Sequence, residues 1–255
     1  MSSDTVLLTF DGSVAVVSMN RPGRHNAFND EMDARFFEIL TELHERDDVR
    51  AIVWRGEGKS FSSGRDTKEL GKRAEGESDL EFIQAGHDKT RMLFTMPAPV
   101  VVALKGWVLG GSFERALLCD IRIAADDARM GLPETAHGVI PDSGGVARLF
   151  QIAGHGVASE LALTGRIIDA EEALRHGIVS RVVPADELDK TAMELAHEIA
   201  KRPPLAVKMA RRVISQLATA EVDRSMYEEM LAQTVVMSSD EYKHQREERL
   251  GRPET

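Results

Sequence analysis

Apolar and polar positions alternate along this chain in two patterns, one typical of strands and one typical of helices. Short apolar runs rich in β-branched residues predict strands at 14–19, 51–54, 100–104, 121–124 and 179–183. Between the first two runs, apolar residues recur every three to four positions over 30–46, which predicts an amphipathic helix. Strands that alternate with helices in this way predict an α/β core.

The last third of the chain shows the helical pattern alone. Helices are predicted at 185–201, 206–218 and 222–237. Pro203 and Pro204 end the first of them, because proline disfavours helical geometry in the residue before it. We therefore interpret 1–184 as the α/β core that carries the functional site, and 185–255 as a helical C-terminal region for capping and oligomerisation.

Composition narrows the class of protein. The 255 residues are 42% hydrophobic and 29% charged, as is usual for a soluble globular protein. The longest apolar stretch, near 98–104, is too short to span a bilayer, and a formal charge of −10 argues against a general nucleic-acid binder. The single cysteine, Cys119, fits a reducing compartment, so we expect a cytoplasmic protein without nucleic acid or membrane as a partner.

Two glutamates carry the most chemical information. Glu114 follows Gly110 and Gly111 in a strand–turn–helix segment, and Glu134 lies in a loop before a second glycine-rich turn. Unpaired N–H groups at a helix N-terminus can stabilise an oxyanion, by about 3 kcal/mol in a transition state. Taken alone, each glutamate is better interpreted as an ordinary acid, solvent-facing for Glu114 and in a loop for Glu134. Together with the glycines, the pair indicates acid–base chemistry at a carbonyl compound.

A third turn, at 61–66, directly follows the strand at 51–54. Its N–H groups are candidates for a second oxyanion donor. The alternative is an ordinary strand-to-helix loop in which Asp66 caps the helix.

Taken in order, these segments resemble the crotonase family, also called the enoyl-CoA hydratase/isomerase family. NRPGRHNAF at 20–28 is similar to its NRP…NAL motif, and FSSGRD at 61–66 to its F-[SA]-x-G-x-D turn. GWVLGGSFERALLCDIRI at 106–123 and GLPETAHGVIPDSGGVARL at 131–149 resemble the two catalytic segments. The resemblance covers nearly the whole chain. It implies an α/β, crotonase-like fold with a ββα superhelix core and a helical C-terminal region, assembled as a homotrimer or a dimer of trimers.

The resemblance also implies the ligand and the site. The ligand is an acyl-CoA thioester substrate, and no metal is implied. No separate cofactor is implied either, because coenzyme A is part of the substrate. Glu114 and Glu134 match the hydratase glutamates, and the backbone N–H groups of Arg65 and Gly111 match the oxyanion hole. The residues implied in substrate binding are Arg24, Ala27, Ser62, Ser63, Gly64, Asp66, Gly110, Asp142 and Lys243. Among them, Arg24 would lie near the CoA phosphates, and Lys243 would reach the CoA of a neighbouring subunit.

The implied reaction is the addition of water across the 2,3 double bond of an enoyl-CoA, or its reverse. Because Glu114 lies near a helix N-terminus, we expect it to stay ionised and to act as the base for water. Glu134, held in a drier loop, is expected to keep a proton and to act as the acid toward the α-carbon.

Four points stay open at this level. Asp142 could move protons with Glu134, which would suit an isomerase of the same fold. A non-catalytic acyl-CoA-binding protein is a second alternative, and a serine hydrolase using Ser112 or Ser143 is a third. Arg65 replaces a small residue of the family. Its side chain would face solvent or a CoA phosphate, or else recognise a polar acyl group.

Overall fold

The computed structural model describes residues 4–69 and 76–251. Within these residues the strands are β1 (Val6–Asp11), β2 (Val14–Met19), β3 (Ala51–Gly56), β4 (Val100–Leu104), β5 (Trp107–Leu109), β6 (Ile121–Ala125), β7 (Arg129–Gly131), β8 (Ile167–Asp169) and β9 (Arg181–Val183).

The helices are α1 (Asp30–His44), α2 (Asp79–Thr95), α3 (Gly111–Leu118), α4 (Gly145–Thr164), α5 (Ala170–Arg175), α6 (Leu188–Ala200), α7 (Pro204–Ser238) and α8 (Asp240–Gly251). Two short 3₁₀ turns lie at Pro22–Arg24 and Glu134–His137. In the part of the chain that the structure describes, no helix is both long enough and apolar enough to cross a membrane.

The larger sheet has six strands in the order β1-β2-β3-β4-β6-β9, all parallel except β1, which runs antiparallel to β2. Both faces of this sheet are covered, so its strands are apolar on both sides. Ala15 and Val17 of β2 belong to the main core, whereas Val14 and Val16 pack in the layer formed with α6. This arrangement explains why the sequence at 14–19 is apolar at nearly every position.

The smaller sheet, in the order β5-β7-β8, positions the two glutamates. β5 leads through Gly110 into α3, which carries Glu114, and β7 leads into the 3₁₀ turn that begins at Glu134. β5 and β7 pair in parallel, and the Gly110 N–H donates to the Gly131 carbonyl at 3.0 Å. The two turns that follow these strands therefore lie side by side.

The C-terminal region differs from the sequence prediction. The helices predicted at 206–218 and 222–237 form one continuous helix, α7, because the intervening Thr219-Ala220-Glu221 contains neither glycine nor proline to end it. α6, which we assigned to the C-terminal region, is a packed layer of the core against the larger sheet. The strands β1, β5, β7 and β8 and the helices α2, α5 and α8 had no counterpart in the sequence prediction.

Candidate active site

Glu114 lies in the first turn of α3 with only 1% of its surface exposed. Its Oε2 accepts hydrogen bonds from the backbone N–H groups of Ser143 and Gly145, both at 3.1 Å. A Cβ on Gly145 would lie 2.4 Å from the Glu114 Cβ and Cγ, so only glycine allows this approach. The turn at 143–145 thus fixes the carboxylate through backbone donors.

Glu134 begins the 3₁₀ turn on the other side of the site. Its Oε1 packs against Gly110, where a Cβ would lie only 2.8 Å away. Its Oε2 is buried and, within 4–69 and 76–251, has no hydrogen-bond partner. An unpartnered buried oxygen costs less free energy when the carboxyl is neutral, which favours a protonated Glu134.

Burial shifts both carboxyl groups in the same direction. Loss of water, reinforced by negative charge on Glu134, Glu229 and Asp142, raises the pKa of Glu114 well above its ordinary value. Burial, with a contribution from Asp142, raises the pKa of Glu134 to about 8. The expectation of an acidic Glu134 agrees with this value. The expectation that Glu114 stays ionised because it lies near a helix N-terminus does not agree with this shift, because burial raises the pKa of its carboxyl.

Because the two groups interact, their protons belong to the pair as a whole. Glu114 receives two N–H donors that stabilise a negative charge, whereas Glu134 has a buried oxygen without a donor. When the pair holds a single proton, the two donors favour the charge on Glu114 and the unpartnered oxygen favours the proton on Glu134.

The two predicted oxyanion turns are neighbours in space. Gly64 and Gly110 have φ values of 92° and 57°, which favour glycine. A Cβ on Gly64 would lie 2.9 Å from the Leu109 carbonyl oxygen, and one on Gly110 would lie 4.0 Å from the Gly64 Cα. Within the described residues, neither Arg65 nor Gly111 has an acceptor for its backbone N–H. Both predicted donors are therefore available to a ligand oxygen.

Ser62 ties these turns together from the inside. Its hydroxyl lies 2.7 Å from the Ser112 hydroxyl, donates to the Asn26 carbonyl at 2.7 Å and accepts from the Gly64 N–H at 3.2 Å. The Ser62 side chain is completely buried, so its hydroxyl supports the turn from inside. Its predicted part in substrate binding stays a prediction. Ser112 has a serine beside it and not a histidine, which gives no support to a serine hydrolase.

The remaining predicted binding residues lie nearer the surface, except Ala27, which is buried. Arg24 is exposed, and Ser63 is half-buried. Asp66 pairs with Arg21 at 3.3 Å. Lys243 is exposed and lies 3.5 Å from Asp240. Contact of these residues with a ligand stays a prediction.

The Arg65 side chain has a partner that the sequence did not indicate. Its guanidinium forms a close ion pair with Asp30 in the first turn of α1. Binding of a phosphate or of a polar acyl group by this side chain would have to compete with that ion pair.

Sequence reasoning missed two buried polar residues around the turn that follows Asp142. His87 of α2 donates from Nε2 to the Asp142 carbonyl, and burial lowers the pKa of this histidine. Glu229 of α7 accepts from the Gly144 N–H at 2.9 Å. A signal for α2 was present, since Ser78 and Glu81 form a capping box at its start. No local pattern marks Glu229.

Metal chemistry finds no support at this site. Over the residues that the structure describes, there is no cluster of three or more histidine, cysteine, aspartate or glutamate side chains suited to a metal ion.

Known proteins are similar to this chain in sequence. The sequence matches the family described as enoyl-CoA hydratase/isomerase over residues 9–250. A short-chain-enoyl-CoA hydratase of Clostridium acetobutylicum is 37% identical over 227 residues, which cover 89% of this chain and 87% of that protein. A carnitinyl-CoA dehydratase of Escherichia coli K12 is 36% identical over 225 residues, covering 88% and 85%.

Among solved structures, the enoyl-CoA hydratase/isomerase from Pseudoalteromonas atlantica superimposes with a TM-score of 0.83 at 29% identity. The match covers 94% of each chain. The fold expected from the sequence, a crotonase-like α/β core with a helical C-terminal region, is therefore confirmed.

Proposed function

The chain belongs to the enoyl-CoA hydratase/isomerase family, and on that basis we propose that it adds water across the 2,3 double bond of a 2-enoyl-CoA thioester. The observation that carries this proposal is the buried Glu114 carboxylate and the buried Glu134 Oε2, both with a raised carboxyl pKa, beside two unpaired backbone N–H groups. The proposed reaction needs no cofactor beyond the coenzyme A carried by the substrate.

Hydration begins with the thioester oxygen between the N–H groups of Arg65 and Gly111. Glu114 takes a proton from water as the water oxygen bonds to C3, and the displaced π electrons form an enolate whose oxyanion the two N–H groups stabilise. Glu134 then donates its proton to C2, and the carbonyl reforms. The pair finishes with the proton on Glu114, so proton exchange with solvent restores the starting state. Dehydration follows the same steps in reverse.

A second candidate is isomerisation of a 3-enoyl-CoA to the 2-enoyl-CoA. The negative charge of Asp142 raises the pKa of both glutamates, so a third carboxylate near the pair is a candidate for proton transfer with Glu134. The relative named as a carnitinyl-CoA dehydratase also leaves the acyl group of the natural substrate open.

A panel of 2-enoyl- and 3-enoyl-CoAs, followed by the absorbance of the conjugated thioester, tests both candidates. Loss of absorbance from a 2-enoyl-CoA, with a 3-hydroxyacyl product, supports hydration. Growth of absorbance from a 3-enoyl-CoA supports isomerisation. Binding without turnover of any member would leave a non-catalytic acyl-CoA-binding protein.

We also propose that the protein assembles as a homotrimer or a dimer of trimers, in the cytoplasm. Large apolar side chains lie exposed on α4 and α7, which is the surface that association would cover. They include Phe150, Leu163, Ile214 and Leu217. Light scattering on the purified protein would give a mass three or six times that of the chain; a monomer would refute the assembly.

A further inference from the structure

Glu229 is a third buried carboxylate next to the proposed site, and it lies on α7. Its Oε2 accepts from the Gly144 N–H at 2.9 Å, and its Oε1 accepts from the Ser225 hydroxyl at 2.8 Å. Both oxygens therefore have donors, so this side chain has a defined orientation.

The turn at 143–145 is held between α7 and α3. On one side, a Cβ added to Gly144 would lie 3.0 Å from side-chain atoms of Val222 and Met226, so α7 packs directly on this residue. On the other side, the N–H groups of Ser143 and Gly145 bind Glu114. Successive N–H groups of the turn thus point alternately to Glu114 and to Glu229.

We propose that Glu229 is a positioning residue: it holds the turn at 143–145 so that the two outer N–H groups keep the Glu114 carboxylate in place for proton transfer. The inference rests on the proposed function. Displacement of a reacting group by about 1 Å can cost on the order of 10²-fold in rate. Loss of the Glu229–Gly144 bond would allow such a displacement without removing any group that touches the substrate.

Gln233, one helical turn further along α7, provides a comparison. Its Oε1 accepts from the Ile140 N–H at 3.0 Å, so it holds the same loop, but at a residue that does not bind Glu114. Removal of the Gln233 side chain therefore loosens the loop at Ile140 and not at the turn that binds Glu114. Glu228, the neighbour of Glu229, is exposed and provides a control for loss of a charge from α7.

The experiment compares Glu229→Ala, Glu229→Gln, Gln233→Ala and Glu228→Ala in the full-length protein. Turnover of a 2-enoyl-CoA gives kcat and KM, and hydrogen–deuterium exchange of the segment at 139–146 reports whether the turn is held. The glutamine variant keeps an oxygen that accepts from Gly144.

For Glu229→Ala we expect a kcat about 10–100-fold lower, a KM within about threefold, and faster exchange at 139–146. Glu229→Gln should restore kcat to within about threefold of the wild type. Gln233→Ala should lower kcat less than Glu229→Ala, and Glu228→Ala should match the wild type.

Wild-type kcat and exchange in Glu229→Ala would overturn the inference. So would a glutamine variant that folds but is as slow as the alanine variant, because an acceptor for Gly144 would then not be the cause. If the wild type hydrates no enoyl-CoA, the proposed function fails. The exchange data then decide separately whether Glu229 holds the turn.

Discussion

Glu114 and Glu134 are both removed from water, yet the first is held by two backbone N–H donors whereas the second has a buried oxygen without a partner. Both carboxyl groups have a raised pKa, so burial alone does not distinguish them. The two backbone N–H donors distinguish the carboxyl groups, because these donors stabilise negative charge on Glu114 only. One residue type thus acquires two chemical roles from the backbone that surrounds it.

The strongest test of this comparison removes each carboxyl in turn. Glu114→Gln and Glu134→Gln should each lower kcat by about 10²–10⁴-fold, the range expected for lost acid–base catalysis, and change KM little. Steady-state kinetics with a 2-enoyl-CoA would measure this. Near-normal turnover in both variants would refute their roles, and loss in only one would break the proposed division of labour.

The backbone support of Glu114 can be tested without touching a carboxyl. Gly145→Ala places a Cβ against the Glu114 stem, including its Cα at 2.6 Å, so the turn has to move. We expect kcat to fall about 10²-fold, as for a misplaced reacting group, together with a lower melting temperature.

Gly156→Ala is the matched control, because Gly156 lies in the second segment of α4, beyond the break at Gly154, with open space around it. It should leave kcat unchanged and stabilise the helix slightly. A normal kcat in Gly145→Ala would mean that this turn does not determine the position of Glu114.

The proton on Glu134 predicts a pH dependence. Glu134 must be protonated to donate to C2, and its pKa is about 8, so kcat/KM should decrease as the pH rises through that value. Initial rates between about pH 6 and 10 would show the alkaline limb. A rate that stays constant to the upper end of that range would indicate that Glu134 is not the proton donor.

The same proton has a consequence for stability. Folding raises the pKa of Glu134 from 4.5 to about 8, so the folded state binds more protons between these values and stability decreases as the pH rises. Glu134→Gln has no carboxyl to titrate, so it removes this loss of stability at high pH. Its melting temperature should exceed that of the wild type by a few degrees at pH 8 and by less at pH 5. Glu228→Gln, an exposed change, should have no such effect.

The sequence indicated the site because its turns depend on local features. Gly64 and Gly110 occur where a positive φ and a close backbone approach leave little room for a side chain. Gly111 is the first residue of α3. Such requirements are visible within a few residues of chain. The strands β2, β3, β4 and β6 of the larger sheet were equally visible in the local sequence, because runs buried on both faces are apolar throughout. The edge strand β1, which is exposed over much of its length, was missed.

Long-range polar contacts were not predictable in this way. Glu229 is 85 residues from Gly144, and His87 is 55 residues from Asp142. In the sequence each is one polar residue on a helix, which by itself predicts a solvated face. The raised pKa of Glu114 was missed for the same reason, since it depends on burial by segments distant in sequence.

The smallest expected effect concerns Arg65, because the role of its backbone N–H should be separable from the role of its guanidinium. The proposed oxyanion donor is its backbone N–H, which Arg65→Ala retains, and the guanidinium that is lost pairs with Asp30. Because a partly exposed ion pair contributes about 1 kcal/mol or less, kcat should change by less than about fivefold. Preference between neutral and carboxylated acyl-CoAs should stay the same. A selective loss of the carboxylated substrates would show that the guanidinium leaves Asp30 to bind the acyl group, and would make Arg65 a determinant of specificity.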